Sequence, residues 1–599
     1  MTATPPEPDP RKRHGVHYTP PELAAFLADR AVRAVRAVDP PGERPVRVLD
    51  PACGDGALLA AAGQRLRAGG YRVELVGADR DPTAVAAAGQ RLAALGLAAE
   101  LRVRDALTPA APGRRTPIGA SPGRPDPAPG GFQLVITNPP YVRTQVLGAA
   151  IAAELARRFG LRGRVDLMHV FVALAAEQLV DGGVLGLLCS NRFLSTQAGA
   201  NVRGLFADRF RVREVYDLGD SKPFPAAVLP AIVIAAASGS AMGLAPPPPA
   251  RFVSVYRLPE PLPEPHPVDR PLPTPAALPD QGFYADLAAT RDTVTRRGGH
   301  RFAVSVGTLA VDAGPERRWR LVSAPSTRWA ERVRRATWRT FGEVARIRVG
   351  IKTTADPVFV RDDWHRLPAE LRPEDELLLP LLTHRNVLTW RGPGEPDKSS
   401  TRVLYPYDRG RDTRRPVELA DYPRALAYLE QHRERLAARR YLADAGRQWF
   451  EIWVPQRPAG WQPPKIVFPD ISVAGKFSVD RSGAVVNGDC YWISFADLPA
   501  EELAYLLVGV ANSTLAVRFY DLMCANRLYS GRRRWMTQYV NRLPLPDPDS
   551  RLAGELITYV RKLCEAGEEP EPELVRDVDE LVSAMFLDDP GNAATTIRQ

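Results

Sequence analysis

Cysteine, histidine and long apolar runs are all scarce in this chain. It holds five cysteines and eight histidines among 599 residues. The cysteines, at Cys53, Cys189, Cys490, Cys524 and Cys564, lie far apart and form no Cys-x-x-Cys pair. This spacing argues against a disulfide framework or a structural zinc site and is typical of a reducing compartment. No segment is apolar for long enough to cross a bilayer, and the charged, Pro-rich N-terminus has no signal-peptide core. We therefore expect a cytoplasmic protein without a membrane partner.

Acidic residues are fewer than basic ones: the chain has 69 Asp and Glu and 79 Lys and Arg, which gives a net charge of +10. Such an excess favours a polyanionic partner such as nucleic acid. Apolar residues make up 45% and charged residues 25% of the chain, as in an ordinary globular protein. The length predicts two or three domains with ample material for a core.

The most informative stretch is a short apolar run that ends in Asn138-Pro139-Pro140-Tyr141. The run 132–136 predicts a buried strand, because it is short, rich in β-branched and aromatic residues, and bounded by residues that break secondary structure. Two prolines then prevent continuation as strand or helix. The turn carries an amide side chain, exposed carbonyls and an aromatic ring. It can accept hydrogen bonds from an NH2 group and stack a flat ring, as a nucleobase amine requires, although Asn-Pro is also a common plain turn.

A second stretch, Asp50-Pro51-Ala52-Cys53-Gly54-Asp55-Gly56, follows a predicted strand at 46–49 and precedes an Ala/Leu-rich helix. Strand, glycine loop and helix open a doubly wound nucleotide-binding unit. Two acids, Asp50 and Asp55, disfavour a phosphate ligand at this helix start and favour a positively charged one, such as an amine or a sulfonium.

Acidic residues also end the next two predicted strands. Asp79 stands where such folds bind ribose hydroxyls, while Asp81-Pro82 predicts the cap of the following helix. Asp105 ends a third strand. Near the N-terminus, Thr19 predicts an N-cap, with Pro20 at the first helical position and Glu22 completing a capping box.

These stretches together resemble the S-adenosyl-L-methionine-dependent amino-methyltransferases of DNA. Asp-Pro-Ala-Cys-Gly-Asp-Gly followed by Asn-Pro-Pro-Tyr, with Gly-Val-His-Tyr-Thr-Pro upstream, is similar to the gamma class of N6-adenine enzymes, TaqI-like, over residues 11–237. The resemblance implies a Rossmann-like class I methyltransferase domain, α/β, followed by a mixed α+β DNA-recognition domain. It also places Cys53 in the cofactor loop, so this residue is not the nucleophile of a cytosine C5 enzyme.

The resemblance implies site residues one by one. The catalytic residues would be Asn138, Pro139, Pro140, Tyr141 and Phe224, and the alternative for Phe224 is a core phenylalanine. The cofactor pocket would be lined by Tyr18, Thr19, Pro20, Asp50, Pro51, Ala52, Cys53, Gly54, Gly56, Asp79, Asp105 and Asn138. The cofactor would be S-adenosyl-L-methionine, and no metal is required.

The resemblance continues into the C-terminal half. Gly350-Ile351-Lys352-Thr353 resembles the strand-turn that opens the family's target-recognition domain, and 464–469, 507–515 and 542–546 follow in the expected order. Gly531-Arg532-Arg533-Arg534-Trp535 mixes cations and an aromatic ring, as contacts to DNA phosphates would. We expect a catalytic domain at 1–240, a Pro-rich linker and connecting region at 241–335 with a strand near 252–256, a recognition domain at 336–550, and a helical C-terminal segment and tail at 551–599.

The implied activity is site-specific methylation of a flipped-out adenine in double-stranded DNA, within restriction-modification or phage defence. An N4-cytosine DNA methyltransferase stays open, since the same turn accepts any exocyclic amine. An RNA or protein-glutamine methyltransferase is a further alternative, but those chains are shorter and lack the large basic C-terminal region. We expect a monomer on DNA, with any restriction endonuclease as a separate protein.

Overall fold

A computed structural model describes residues 19–107, 131–140, 149–161, 166–221, 229–238, 248–258, 283–312, 317–391, 401–408, 413–524, 528, 531–566 and 569–588. The chain divides into two compact units. The first comprises Met1–Ser323 with Leu528–Gly531, and the second comprises Ala324–Arg527 with Arg532–Gln599.

An eleven-stranded sheet forms the centre of the first unit. Its strands are β1 Val46–Asp50, β2 Val73–Asp79, β3 Ala99–Val103, β4 Phe132–Thr137, β5 Leu179–Ser190, β6 Phe210–Asp217, β7 Pro230–Ala237, β8 Arg251–Arg257, β9 Thr293–Arg297, β10 His300–Val311 and β11 Trp319–Val322. The first seven strands follow the order β3-β2-β1-β4-β5-β7-β6. Within these seven, β7 runs antiparallel to both of its neighbours, and the others are parallel. This is the expected Rossmann-like class I methyltransferase arrangement, and the α/β fold class is confirmed.

Helices cover both faces of the sheet. They are α1 Pro21–Arg36, α2 Ala57–Ala68, α3 Pro82–Ala94, α4 Ala149–Phe159, α5 Leu167–Gln178, α6 Ala200–Arg209 and α7 Phe283–Leu287. Apolar residues of α1, α2 and α3 bury one face, and those of α5 and α6 bury the other. With both faces covered, β4 is mostly apolar and β7 wholly so, as strands buried on both faces of a sheet must be.

The sheet continues beyond the predicted catalytic domain. The strand expected near 252–256 is β8, which pairs in parallel with β6, and β10 and β11 extend the sheet further. Much of the region expected to be a linker, 241–335, is therefore part of the first unit. Alternating residues such as Phe302 and Val304 are buried against the same core as α1. Pro-rich flanks concealed this pattern, because proline content alone predicts a spacer.

The second unit is a mixed α+β structure. Its helices are α8 Ala324–Ala336, α9 Phe341–Val344, α10 Asp356–Phe359, α11 Pro423–Gln431, α12 Arg433–Ala437, α13 Arg440–Asp444, α14 Glu502–Asn512, α15 Thr514–Met523, α16 Thr537–Val540, α17 Arg551–Glu565 and α18 Pro572–Leu587. Its strands are β12 Arg339–Thr340, β13 Arg348–Val349, β14 Val360–Arg361, β15 Leu378–Leu382, β16 Trp390–Arg391, β17 Arg402–Leu404, β18 Lys465–Pro469, β19 Ile471–Ser472, β20 Ser478–Asp480, β21 Val485–Val486, β22 Cys490–Ser494, β23 Arg533–Arg534 and β24 Pro544–Leu545.

Two larger sheets organise these strands. One has the order β13-β22-β18-β20-β16 and the other β14-β17-β15-β21. Helices α17 and α18 share a core with α8 and α14. The helical segment expected as a separate C-terminal part is therefore packed into the second unit as far as residue 588.

No single helix among the described residues is long and apolar enough to cross a membrane. One helix pair bent by 69°, α14 with α15, meets that test of length and composition.

Candidate active site

Three neighbouring parallel strands, β1, β2 and β4, end at one edge of the first sheet. At or just after the ends of these strands lie the predicted loop at 50–56, the acid Asp79 and the turn at Asn138. Because the carboxyl ends of parallel strands open together, this edge is where a doubly wound fold binds its ligand. The structure thus brings together three stretches that lie far apart in the sequence.

The loop after β1 depends on its glycines. Gly54 and Gly56 have φ angles of 51° and 78°, in the left-handed region that favours glycine. A Cβ on Gly56 would also lie 2.9 Å from the Cβ of Ala88 on α3. The backbone N–H of Cys53 donates to the carbonyl of Ala78 at 2.9 Å and ties the loop to β2. The loop is therefore a rigid turn that directs the start of α2 toward the sheet edge.

Two side chains of this loop are buried. Asp50 is 1% exposed, and burial raises the pKa of its carboxyl to about 7, although the backbone N–H of Ala52 donates to it. Burial likewise raises the pKa of the Cys53 thiol. Cys53 is therefore held as a neutral thiol, which is unsuited to act as a nucleophile.

Asp55, the second acid expected to attract a cation, is engaged elsewhere. Its carboxylate pairs with the guanidinium of Arg91 on α3 at 2.5 Å. This pairing of a loop acid with a helix 36 residues later was not visible in the sequence. The acidic character of the loop comes from Asp50 instead, together with Asp79, which raises the pKa of Asp50 further.

Asp79 connects the loops that follow β1 and β2. Its Oδ2 accepts a hydrogen bond from the backbone N–H of Gly54 at 2.9 Å, and its Oδ1 accepts one from the backbone N–H of Asp81 at 3.0 Å. Asp81 caps α3 through Thr83, with Pro82 at the first helical position, as predicted. Asp105 lies exposed just after β3 and accepts from the N–H of Leu107 at 2.9 Å.

Asn138 follows β4 and lies half-buried, with Pro139 buried and Pro140 half-buried. Its Nδ2 donates a hydrogen bond to Oγ1 of Thr19 at 3.2 Å. This bond fixes the plane of the amide and turns its Oδ1 away from Thr19. The turn after β4 and the segment before α1 are thereby joined across 119 residues of sequence.

The predicted capping role of Thr19 is wrong. Helix α1 starts at Pro21, one residue later than expected, and Pro20 is the N-cap residue with an extended ψ of 145°. No side chain caps the helix, and Glu22 forms no capping box. A second proline at Pro21 takes the first helical position, which leaves the Thr19 hydroxyl to Asn138.

Three predicted site residues, Tyr18, Tyr141 and Phe224, lie outside the described residues. The remaining cofactor-loop positions, Pro51 and Ala52, lie in the turn between Asp50 and Cys53.

A buried polar cluster continues along the same edge, beyond the residues that the sequence singled out. Nδ2 of Asn191, just after β5, donates to Asp217 Oδ1 at 2.9 Å and to the Tyr256 hydroxyl at 3.2 Å. The Tyr256 hydroxyl donates to Asp217 Oδ2 at 2.6 Å. In the sequence, this cluster could have been recognised from two polar residues, Asn191 and Asp217, at the ends of apolar strands. The third member, Tyr256, lies on β8, within the region that the sequence predicted to be a linker.

In the basic stretch at 531–535, two of the three arginines form ion pairs within the second unit. Arg533 is 8% exposed and pairs with Asp521 at 2.7 Å, and Arg534 pairs with Asp470 at 3.0 Å. Trp535 is 1% exposed and lies in the core. Only Arg532 of the three arginines combines exposure with no acid partner among the described residues.

Comparisons with known proteins agree with this geometry. The family model described as Eco57I restriction-modification methylase matches residues 123–224. Type II methyltransferase M.BanIII of Aneurinibacillus aneurinilyticus is 33% identical over 587 residues, which cover 96% of this chain and 97% of the relative. Type II methyltransferase M.PaeR7I of Pseudomonas aeruginosa is 26% identical over 478 residues, covering 77% and 71%.

Among solved structures, the type IIL restriction-modification enzyme MmeI in complex with DNA shares the fold. It aligns with a TM-score of 0.55 at 11% identity, over 94% of this chain and 72% of that one.

Proposed function

Because the chain belongs to the type II DNA methyltransferases of restriction-modification systems, we propose that it methylates the N6 amine of an adenine flipped out of double-stranded DNA. S-adenosyl-L-methionine is the cofactor of this family. The observation that carries the proposal is the half-buried Asn138 amide, held by Thr19 at the carboxyl end of β4. An amide oxygen and a proline carbonyl side by side are the acceptors that an exocyclic NH2 group needs.

The residues at the sheet edge suit a cationic nucleoside cofactor. Asp50 and Asp79 supply negative charge, and the glycine loop lets the backbone approach closely. Asp79 would bind the ribose hydroxyls and Asp105 the adenine edge. The other residues lining the pocket would be Thr19, Pro20, Pro51, Ala52, Cys53, Gly54, Gly56 and Asn138, with Tyr18 from the segment before Thr19.

In the proposed reaction Asn138 acts on the target amine. A base within a duplex is out of reach, so it must leave the stack at a cost of a few kcal/mol. Asn138 Oδ1 and the carbonyl of Pro139 would then accept one hydrogen bond each from N6. These bonds orient the nitrogen lone pair toward the methyl group and stabilise the positive charge that develops on N6.

When bound, S-adenosyl-L-methionine would supply an electrophilic methyl group on its sulfonium, and N6 held by Asn138 would take this methyl group as the carbon–sulfur bond breaks and S-adenosylhomocysteine leaves. No covalent intermediate with the protein is needed, and one proton leaves N6. Tyr141 and Phe224 would stack on the flipped base and offset part of the unstacking cost.

An N4-cytosine activity is the second candidate, since cytosine presents an amine of the same kind. Asn at the first position of the turn favours adenine, because the N4-cytosine enzymes of this family more often carry Ser there. The second unit would read the DNA sequence, and we expect the protein to act as a monomer with any nuclease on a separate chain.

Product analysis separates these candidates. Unmethylated bacterial DNA is incubated with the protein and methyl-labelled S-adenosylmethionine, digested to nucleosides and analysed by mass spectrometry. We expect the label in N6-methyldeoxyadenosine. Label in N4-methyldeoxycytidine would overturn the adenine assignment, and label in RNA or protein instead of DNA would overturn the function.

Thr19→Val should lower the transfer rate more than it weakens cofactor binding. Valine keeps the size of the side chain but loses the hydroxyl that holds the Asn138 amide. Loss of one hydrogen bond, worth about 0.5–1.5 kcal/mol, corresponds to a fall in kcat of roughly two- to tenfold. Thr19→Ser restores the hydroxyl and should restore kcat. A rise in the Kd for S-adenosylmethionine with unchanged kcat would limit Thr19 to a cofactor contact.

Cofactor binding should tighten as pH rises through about 7. Burial raises the pKa of Asp50 to about 7, so its carboxyl is mostly neutral below that pH and cannot attract a cation. Titration calorimetry between pH 6 and 8 measures the effect, and Asp50→Asn should remove it. The Asp50→Asn variant is the control, because any pH dependence that comes from titration of the cofactor itself remains in that variant. An identical pH profile for both proteins would contradict a role for the Asp50 charge.

A further inference from the structure

Strands β9 and β10 form a basic hairpin within the first unit. Residues 293–301 contain three arginines and one histidine and no carboxylate. Gly298 and Gly299 form the tip, with φ angles of 54° and 81°, as the tight two-residue turn of a hairpin requires. A Cβ added at either glycine would meet nothing within 4 Å. The tip is therefore open to an approaching partner, and it carries no side chain that would keep the partner away.

The two faces of this hairpin differ. Thr295 and Phe302 are directly opposite each other and buried, and the guanidinium of Arg297 lies 4.2 Å from the centre of the Phe302 ring. Arg296 and Arg301 are also directly opposite each other, but on the second face, because successive residues of a strand point to opposite sides. Arg297 thus belongs to the packed face, and Arg296 with Arg301, which we call the hairpin arginine pair, belongs to the other.

No acid in the described part of the chain neutralises the hairpin arginine pair. Arg296 is exposed and Arg301 half-buried, and neither forms an ion pair with a described carboxylate. Nε of Arg301 is shielded from solvent and has no hydrogen-bond partner among the described residues. Like charges directly opposite each other in a sheet destabilise it. An anion that both guanidinium groups contact would remove this repulsion.

The hairpin projects from the carboxyl edge of the sheet, the edge that holds Asn138. Strand β8 runs in the same direction as β4, and its last residue, Arg257, is directly opposite Phe302 on β10. Strand β10 is antiparallel to β8, so the residues that precede Phe302 lie beyond the carboxyl end of β8. These residues are Arg301, His300 and the glycine tip.

The strand register shows how far the hairpin projects. It connects the end of β4 to β10 through the pairs Thr137–Leu187, Leu187–Val233, Val233–Val215, Val215–Phe252 and Phe252–Gly307. Gly307 is therefore level with the residue before Asn138. Arg301 lies further out along β10, at about 3.4 Å per residue, which places it roughly 20 Å beyond that level.

The same sheet gives the distance to the side. Five strand spacings of about 4.8 Å separate β4 from β10, roughly 24 Å along the surface of the sheet. At about 3.4 Å per base pair, this corresponds to roughly seven base pairs of duplex. Asn138 and the hairpin both belong to the first unit. A duplex that presents a base to Asn138 and extends along this edge therefore passes the hairpin arginine pair.

We propose that the hairpin arginine pair binds phosphates of the DNA backbone to one side of the target base. This inference rests on DNA being the substrate, as in the proposed function. A guanidinium can donate two parallel hydrogen bonds to phosphate oxygens, and the glycine tip lets the backbone of the hairpin approach the duplex closely. Contacts of this kind add affinity without sequence preference and are lost as salt rises.

The test compares two double variants that remove the same charge. Arg296→Gln/Arg301→Gln removes the hairpin arginine pair. Arg44→Gln/Arg72→Gln removes two exposed arginines that precede β1 and β2, at the opposite edge of the same sheet. Fluorescence anisotropy with a labelled random-sequence duplex measures Kd for each protein between about 50 and 200 mM salt.

We expect the plot of log Kd against log salt to become shallower by about 1.8 for the hairpin variant, since each lost phosphate contact contributes about 0.9. The Kd near 0.15 M salt should rise roughly tenfold or more, while kcat at saturating DNA stays close to that of the wild type. Arg44→Gln/Arg72→Gln should keep the wild-type slope. Arg296→Lys/Arg301→Lys retains both charges and should keep it as well.

Thermal unfolding distinguishes a binding role from a structural one. Because the two arginines repel each other, Arg296→Gln/Arg301→Gln should leave the unfolding midpoint unchanged or raise it. Arg296→Glu places opposite charges across the hairpin, so it should raise the midpoint and still weaken duplex binding. A lower midpoint together with weaker binding for the glutamine variant would make the pair a structural feature and overturn the proposal.

The salt slopes separate this inference from the proposed function. A wild type that binds the duplex, with one slope shared by the hairpin variant and the opposite-edge variant, would overturn only the role of the hairpin. A wild type that does not bind the duplex would overturn the proposed function together with this inference.

Discussion

Asn138→Ala should abolish methyl transfer while S-adenosylmethionine still binds with nearly its normal affinity. Alanine removes the oxygen that would accept a hydrogen bond from the target amine, and Pro139 alone cannot orient the nitrogen. Removing one preorganised hydrogen-bonding group at a reacting centre costs about 10²–10³ in kcat in other enzymes, and we expect a loss at least that large. Single-turnover transfer to DNA measures the rate, and calorimetry measures the Kd of the cofactor.

Asn138→Asp is the matched control for this substitution. Aspartate keeps an acceptor oxygen of the same size in the same place, and the Thr19 hydroxyl can donate to it. Its transfer rate should therefore lie between those of the wild type and the alanine variant. If Asn138→Ala weakens cofactor binding as much as it slows transfer, Asn138 is a cofactor ligand and the catalytic assignment is wrong.

Lys465→Met should destabilise the second unit by about 3–5 kcal/mol, the usual cost of removing one partner from a buried ion pair. Lys465 on β18 and Asp480 on β20 face each other across the strands and are 0% and 1% exposed. The Nζ of Lys465 lies 2.7 Å from Asp480 Oδ2 and donates to the carbonyl of Trp461 at 3.0 Å. Burial lowers the pKa of Lys465, and without it Asp480 would be a buried charge with no counter-charge.

Tryptophan fluorescence during urea unfolding follows this change selectively, because nine of the ten tryptophans belong to the second unit. Lys465→Met/Asp480→Asn removes both charges and keeps an acceptor for Ser482, so it should recover most of the lost stability. Exposed Lys562→Met on α17 should shift the transition little. If Lys465→Met alone changes the midpoint of urea unfolding only slightly, water or a neighbouring group must stabilise the charge of Asp480 in place of Lys465.

Local signals predicted the catalytic half well. The strand before Asn138 and the glycine loop at 50–56 combine short apolar runs with breakers, and both features are properties of a few adjacent residues. Asp81 capping α3 is local for the same reason. The Rossmann-like fold class followed from the family resemblance, and the strand order came from the structure.

What the sequence did not reveal involves partners that are distant along the chain. Thr19 resembled an N-cap, but its hydroxyl bonds Asn138, 119 residues away. The sequence shows Arg533 and Arg534 as cations, but only the structure shows that they pair with Asp521 and Asp470. Composition counts charges and cannot say which of them are neutralised in the folded chain.

The same limit applies to the second unit and to the supposed linker. The pairing of Lys465 with Asp480 depends on the register of two antiparallel strands, which a one-residue shift would destroy. Strand β8 is recognisable alone, but its place beside β6 depends on long-range pairing.

Base modification in living cells tests the central claim most directly. The wild type and Asn138→Ala are expressed in a bacterial host without adenine methylation, and the genome is read by single-molecule sequencing that detects modified bases. We predict N6-methyladenine at one short recurring sequence with the wild type and none with the variant. N4-methylcytosine at such a sequence, or N6-methyladenine that persists with Asn138→Ala, would contradict the account.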